Sequence, residues 1–174
     1  MKISEAIELI KYVPFNPEQS ETWADLGCGN GLFTQALAIL LPEGSLIYAV
    51  DKINHFMNPP DSGNVTISFL HADFENELLL PSRINGILMA NSLHYVRDKK
   101  SFLQKLVTVN PGLSTFIIVE YEIKLSNPWV PYLIGFTDLK VLLENSGFKS
   151  IRKLSERRSV YQRGNIYACS AKKV

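Results

Sequence analysis

Residues 22–33 read Thr-Trp-Ala-Asp-Leu-Gly-Cys-Gly-Asn-Gly-Leu-Phe, and this stretch decides the fold. Trp23, Ala24 and Leu26 form an apolar run of the length of a buried strand. Gly27, Gly29 and Gly31 follow at every second position. Glycine has no Cβ and takes positive φ freely, so the chain can turn sharply here and a ligand can approach the backbone. From Leu32 the apolar residues recur at helical spacing through Leu41. The stretch therefore reads as a strand, a glycine turn and a helix whose first N–H groups face whatever sits on the turn.

A generic dinucleotide loop, G-x-G-x-x-G, would place its third glycine at Leu32. Here that glycine comes one residue earlier, and an acid, Asp25, ends the strand. The D-x-G-x-G-x-G pattern of residues 25–31 resembles motif I of the class I S-adenosylmethionine (SAM) dependent methyltransferases. The resemblance implies an α/β fold: a Rossmann-like, doubly wound, seven-stranded sheet, mostly parallel, with an antiparallel C-terminal hairpin strand. It implies SAM as cofactor, with Asp25, Gly27, Cys28, Gly29 and Gly31 at its binding site. Residues 1–174 are expected to form a single domain of this kind, since the chain has the length of one domain and no linker, repeat or low-complexity segment.

The later segments fall in the order such a sheet needs. Residues 45–50 read as a second strand, and Asp51 follows it, 24 residues after Gly27. An acid at that place can accept hydrogen bonds from both hydroxyls of a ribose. The resemblance puts Lys52 and Ile53 along the adenine. Residues 65–71 alternate like a third strand and lead into Asp73 and Phe74. The resemblance gives Asp73 the adenine amino group and Phe74 a backbone contact to a ring nitrogen; the alternative for Asp73 is to cap the following turn. Residues 84–90 form a fourth strand, with Asn85 where the family commonly carries Asp. Asn91 follows at the carboxyl end of the sheet, where open α/β folds bind ligands, and is expected to face the methionine part of SAM. Asn58-Pro59-Pro60-Asp61 is similar to an adenine-directed methyltransferase motif, but it follows the wrong strand and lacks the terminal aromatic, so it reads as a proline-stiffened loop.

Helices are expected over residues 3–13, 101–107 and 137–145, a fifth strand over 114–119 with Glu120 and Tyr121 at its end, and an antiparallel hairpin from strands at 149–156 and 165–171.

Methyl transfer from a sulfonium depends chiefly on positioning and on excluding water, and needs a base only where the nucleophile must lose its proton early. His94 is the candidate base, with suitable chemistry at a suitable place; a structural role at this strand-to-helix junction is the competing reading. Tyr12, Phe15, His94, Trp129 and Tyr132 are the candidate walls of an acceptor pocket, with Phe136 beside them; packing into the core is the competing reading for these side chains. His55, His71 and His94 have no metal-ligand spacing, so no metal is expected.

Apolar residues make up 46% and charged residues 20% of the chain, as in an ordinary soluble globular protein. Two cysteines, Cys28 and Cys169, suggest no disulfide framework, and no apolar run has the length of a membrane span. A cytoplasmic protein without membrane partners is expected. The net charge of +1 is unevenly spread: from Lys140 onward nine basic residues face two acids. That tail is either a footprint for a phosphorylated or nucleic-acid partner or the solvated face of a hairpin.

These observations point to SAM-dependent methyl transfer onto a small-molecule acceptor. The alternatives are a nicotinamide-dependent oxidoreductase, a SAM-binding module without turnover, and an RNA methyltransferase that uses the basic C-terminal segment.

Overall fold

Successive residues of the central strands are buried on opposite faces of one sheet, so both faces must be covered. In a computed structural model, which describes residues 1–54, 63–77, 80, 83–160 and 164–173, that cover is four α-helices among the described residues. His55, the 58–61 loop and Arg163 lie outside the described residues. The elements in chain order are α1 (Ile3–Ile10), β1 (Thr22–Leu26), α2 (Leu32–Leu40), β2 (Leu46–Asp51), β3 (Thr66–His71), β4 (Gly86–Ala90), α3 (Lys99–Val109), β5 (Thr115–Glu122), α4 (Phe136–Asn145), β6 (Arg152–Arg158) and β7 (Asn165–Lys172). A short 3₁₀ turn at Leu93–Tyr95 follows β4.

The strand order is β3-β2-β1-β4-β5-β7-β6. Strands β1 to β5 pair in parallel, and β7 runs antiparallel to both β5 and β6. This is the Rossmann-like, mostly parallel sheet expected from residues 22–33. The antiparallel β7 departs from the order 3-2-1-4-5-6 of the dinucleotide-binding fold. Helices α1 and α2 bury Ala6, Leu9, Phe33 and Leu37 against one face, with Trp23, Leu88 and Ile117 from the sheet. Helices α3 and α4 bury Leu103, Leu106, Leu139 and Leu143 on the other, with Ala24, Ile87 and Phe116. Residues that are adjacent along a strand, such as Trp23 and Ala24, thus enter different cores, as a period of two demands.

Two local constraints fix the centre of the sheet. Trp23 pairs in register with Gly86, and a Cβ on Gly86 would lie 2.4 Å from the indole ring. The indole fills the space that any larger residue at position 86 would need. Asn85 stands where the resembling family commonly has Asp, and its Oδ1 accepts the Thr22 N–H at 2.8 Å. The position needs an acceptor oxygen to join β1 to β4, and an amide supplies one as well as a carboxylate does.

The element ends differ modestly from the sequence expectation. α1 stops at Ile10, and the next residues close as a turn in which the Val13 N–H reaches the Ile10 carbonyl. β5 continues to Glu122, because β7 pairs with it from Thr115↔Lys172 to Glu122↔Asn165. No helix among the described residues is long and apolar enough to cross a membrane.

The Trp23–Gly86 contact gives a stability test. Gly86→Ala is expected to lower the unfolding free energy by about 1–3 kcal/mol through overpacking against a ring that has no room to shift. Urea denaturation followed by far-ultraviolet circular dichroism measures it.

Candidate cofactor and acceptor site

The carboxyl ends of β1, β2, β4 and β5 meet the start of β7 and the end of β6 along one edge of the sheet. A cavity of about 740 Å³ runs along that edge. Its size lies within the range of small-molecule sites, roughly 300–1,000 Å³.

The glycine turn forms its floor. Gly27, Gly29 and Gly31 all have positive φ, at 81°, 54° and 81°. Gly27 is doubly constrained, since a Cβ there would lie 2.5 Å from the Ser92 Cβ of the turn after β4. The Gly27 and Cys28 N–H groups both donate to the Val50 carbonyl, at 2.8 and 3.1 Å. The Gly29 N–H donates to Asp51 Oδ2 at 2.9 Å, and the Ile53 N–H donates to Asp51 Oδ1 at 2.9 Å. The turn after β1 is thereby locked to the end of β2, with the Asp51 carboxylate between them. Ser92 Oγ donates to the Leu26 carbonyl at 2.6 Å, which locks the same turn to β4.

Beneath the turn lies a buried acid. Asp25 is 1% exposed, and the Thr34 hydroxyl on α2 donates to its Oδ2 at 2.6 Å. Its Oδ1 is buried without a partner among the described residues. Burial, opposed by the Thr34 hydroxyl and reinforced by the charge of Asp51, pushes the Asp25 carboxyl up to about 7. A second unpartnered buried oxygen, Asn91 Oδ1, stands at the end of β4, where Asn91 takes a positive φ of 55°. Asp25 and Asn91 both line the cavity. A buried acceptor without a donor costs about 1–3 kcal/mol, and two on one wall are suited to a ligand that brings donors. The Cys28 thiol, on the same wall, is held protonated by burial and by the nearby charges of Asp25 and Asp51.

Asp51, Lys52, Ile53, Asp73 and Phe74 line the cavity as well. Asp73 adopts the capping role that was the alternative for it: its oxygens accept from the Glu75 N–H and the Asn76 amide, each at 3.0 Å. Against the raising effect of burial, these hydrogen bonds hold its carboxyl below the ordinary range. Phe74 packs edge-on against Phe102, 5.9 Å between centroids, and offers the cavity an apolar wall. Gly31 is not among the lining residues; it is the N-cap of α2.

A family model described as a methyltransferase domain matches residues 24–112, just over half of the chain. The chain belongs to the class I SAM-dependent methyltransferases. Solved structures of similar fold include a SAM-dependent methyltransferase from Aquifex aeolicus (20% identity, all of both chains covered, TM-score 0.62). Magnesium protoporphyrin IX methyltransferase from Synechocystis with bound SAM is similar too (16% identity, 89% of this chain and 71% of that one, TM-score 0.61). So is an arsenic(III) SAM methyltransferase from Chlamydomonas reinhardtii (16%, 97% and 69%, TM-score 0.66). At these identities the likeness is one of fold. No curated protein sequence matches the chain.

The candidate acceptor residues of this methyltransferase are placed differently from the sequence expectation. His94 is buried behind the cavity wall: its Nδ1 meets Glu120 Oε2 at 2.7 Å, and its backbone N–H donates to Glu120 Oε1 at 3.0 Å. The pair ties the turn after β4 to β5, and His94 does not line the cavity. Tyr12 is 64% exposed, with the Lys11 ammonium 5.1 Å from its ring centroid. Phe15 packs edge-on against Trp23 at 5.7 Å. Trp129 is 74% exposed on the loop that Asn127 closes by accepting its N–H. Tyr132 is 40% exposed beside Lys99. Phe136 meets Tyr167 in the core beneath α4. None of these aromatic side chains lines the cavity.

Other residues line the cavity. Tyr95 and Tyr121 stand against the His94 ring, 4.4 and 5.9 Å between centroids, and both line the cavity. Met1 and Glu5 of the N-terminal segment and Arg157, Arg158 and Ile166 of the hairpin complete it. In the sequence these residues carry no motif. The antiparallel pairing of β5, β7 and β6 brings the hairpin residues to the same edge as the glycine turn.

Asp25 makes stability depend on pH with a defined sign. Its ordinary value is 3.8 and its folded value about 7, so between them the folded state binds more protons than the unfolded one. Stability of the ligand-free protein is expected to fall as pH rises from about 4 to 7 on this account, and to level off above. Asp25→Asn removes the loss: its melting temperature is expected to exceed that of the wild type at pH 8 by more than at pH 5. Differential scanning calorimetry at the two pH values measures the difference.

Proposed function

We propose that the chain transfers a methyl group from SAM to a small-molecule acceptor held at the hairpin end of the cavity. The observation that carries this reading is the pair of buried oxygens, Asp25 Oδ1 and Asn91 Oδ1, that have no partner among the described residues and belong to cavity-lining side chains beside the glycine turn. When bound, SAM supplies an electrophilic methyl on a sulfonium, and it carries an ammonium group rich in donors.

The residues present fit such a group. Asp25 and Asn91 offer acceptors to a cationic donor, and a cation there favours the ionised form of Asp25 that burial disfavours. Asp51 is held by two backbone N–H groups in a fixed orientation, and a carboxylate keeps lone pairs for ribose hydroxyls after accepting two bonds. Ile53 and Phe74 offer apolar surface for a purine, and the Asp73 carboxylate, like that of Asp51, keeps lone pairs after its two turn contacts. Tyr95 and Tyr121 both line the cavity and offer aromatic surface to an acceptor.

With His94 paired to Glu120 behind the wall, catalysis on this reading rests on positioning. A small acceptor is favoured over RNA by the state of the basic tail. Lys153 pairs with Glu156 and Arg157 with Glu5, each at 2.7 Å, and Lys172 donates to the Pro14 carbonyl. Part of the tail is thus engaged within the protein, while Lys149, Arg152 and Arg158 stay exposed.

Asp51→Ala is expected to weaken SAM binding by about 1–3 kcal/mol, roughly 5- to 150-fold, as for the loss of a charge-assisted acceptor. Isothermal titration calorimetry of the variant and the wild type gives the ratio; equal affinities remove Asp51 from the cofactor site.

A further inference from the structure

We infer that the acceptor is an anion: an apolar, ring-sized body carrying a carboxylate or phosphate group that Arg157 binds. This rests on the methyltransferase reading above and specifies the chemistry of its second substrate.

The cavity lining extends past the residues that the cofactor reading uses. Beyond Asn91 it continues along the ends of β5, β7 and β6. There Tyr121, Ile166 and Arg157 are register partners in one row, Tyr121 opposite Ile166 and Ile166 opposite Arg157. Side chains paired in register share a face of the sheet. All three line the cavity. An aromatic ring, an aliphatic side chain and a guanidinium therefore stand side by side on one wall. That sequence suits a ligand that is apolar at one end and anionic at the other.

Arg157 is oriented for this role. Its Nη2 donates to Glu5 Oε1 at 2.7 Å, and Glu5 is itself held by the Lys2 N–H on Oε2 at 2.7 Å. The Arg157 side chain is one-third exposed, so the ion pair sits at the cavity rim rather than in open solvent. A guanidinium carries five N–H donors, and the Glu5 contact occupies one edge. The remaining donors have no acceptor among the described residues, and their planar fork matches a carboxylate or phosphate.

The charges along the cavity are ordered in the same sense. The cofactor end carries Asp25, Asp51, Asp73 and Glu75 against Lys52; the hairpin end carries Arg157 and Arg158 against Glu5. One end is matched to a cation and the other to an anion. Such complementarity selects partners and fixes their orientation. It would bring an anionic acceptor and a sulfonium in from opposite ends.

The test is calorimetric titration of the protein saturated with S-adenosylhomocysteine. The probes are benzoate, phenyl phosphate, benzamide as the neutral counterpart, and a short oligoribonucleotide. At least one of the two anions is expected to bind, at least about tenfold more tightly than benzamide. Which anion binds distinguishes carboxylate from phosphate. Arg157→Ala is expected to weaken that anion at least about tenfold while leaving S-adenosylhomocysteine affinity within about threefold, and Arg157→Lys to recover only part of the loss. Glu5→Gln removes the ion pair but keeps the guanidinium, and should retain anion binding. Equal losses in Glu5→Gln and Arg157→Ala would assign Arg157 to tying α1 to β6 and overturn the inference. So would binding of neither anion, equal binding of benzamide, no effect of Arg157→Ala, or binding of the oligoribonucleotide alone. Failure of the folded wild type to bind S-adenosylhomocysteine contradicts the methyltransferase reading itself, and this inference with it.

Discussion

A carboxylate in the core, one oxygen satisfied and the other not, is the constraint on which this site depends. Asp25 ends the central strand, where the sheet is covered on both faces, and water cannot solvate it. The Thr34 hydroxyl from α2 compensates one oxygen and leaves Oδ1 buried without a partner among the described residues. An apolar residue would pack at this position without that penalty. On the proposed reading the acid is a place for donors from a ligand, and a cation there would offset the cost of keeping it charged. The surrounding turn is rigid for the same purpose. Gly27 fits against Ser92 with no space for a Cβ, and Asp51 binds the Gly29 and Ile53 amides, so the backbone around the buried acid is fixed before any ligand enters.

Strand order then distributes the chemistry. The parallel strands bring Asp25, Asp51 and Asn91 to one end of the edge, and the antiparallel β7 returns the hairpin so that β6 ends on the same edge. The His94–Glu120 pair lies between the two ends, one layer behind the wall. Its role follows from its contacts: it fixes the turn that carries Tyr95 and holds the end of β5 that carries Tyr121. A buried charge-capable pair of this kind positions the groups in front of it.

Much of this was legible in the sequence because it is local. The glycine spacing, the acid before it and the apolar runs of β1, β2, β4 and β5 are set by neighbours within a few residues, and the sheet follows from their order. Asn85 was legible as a departure, and the structure explains it: the position needs an acceptor, not a charge. The hairpin end of the cavity was not legible. Tyr12, Trp129 and Tyr132 are aromatic residues on turns and loops, where no periodicity states which way a ring points, and they face solvent or a lysine. The row of Tyr121, Ile166 and Arg157 joins residues remote in the chain through pairing registers that no short motif encodes. His94 had the right chemistry at the right turn, but its direction is set by Glu120, a residue of another strand.

The central claim is that the edge around Asp25, Asp51 and Asn91 is built for the SAM family of ligands rather than for a dinucleotide. Calorimetric titration of the wild-type protein with S-adenosylhomocysteine, with NADH in parallel, tests it most directly. The account predicts saturable binding of S-adenosylhomocysteine with a dissociation constant on the order of micromolar, about −8 kcal/mol, and none of NADH. Binding of NADH alone, or no binding of either by protein that melts cooperatively, would contradict it.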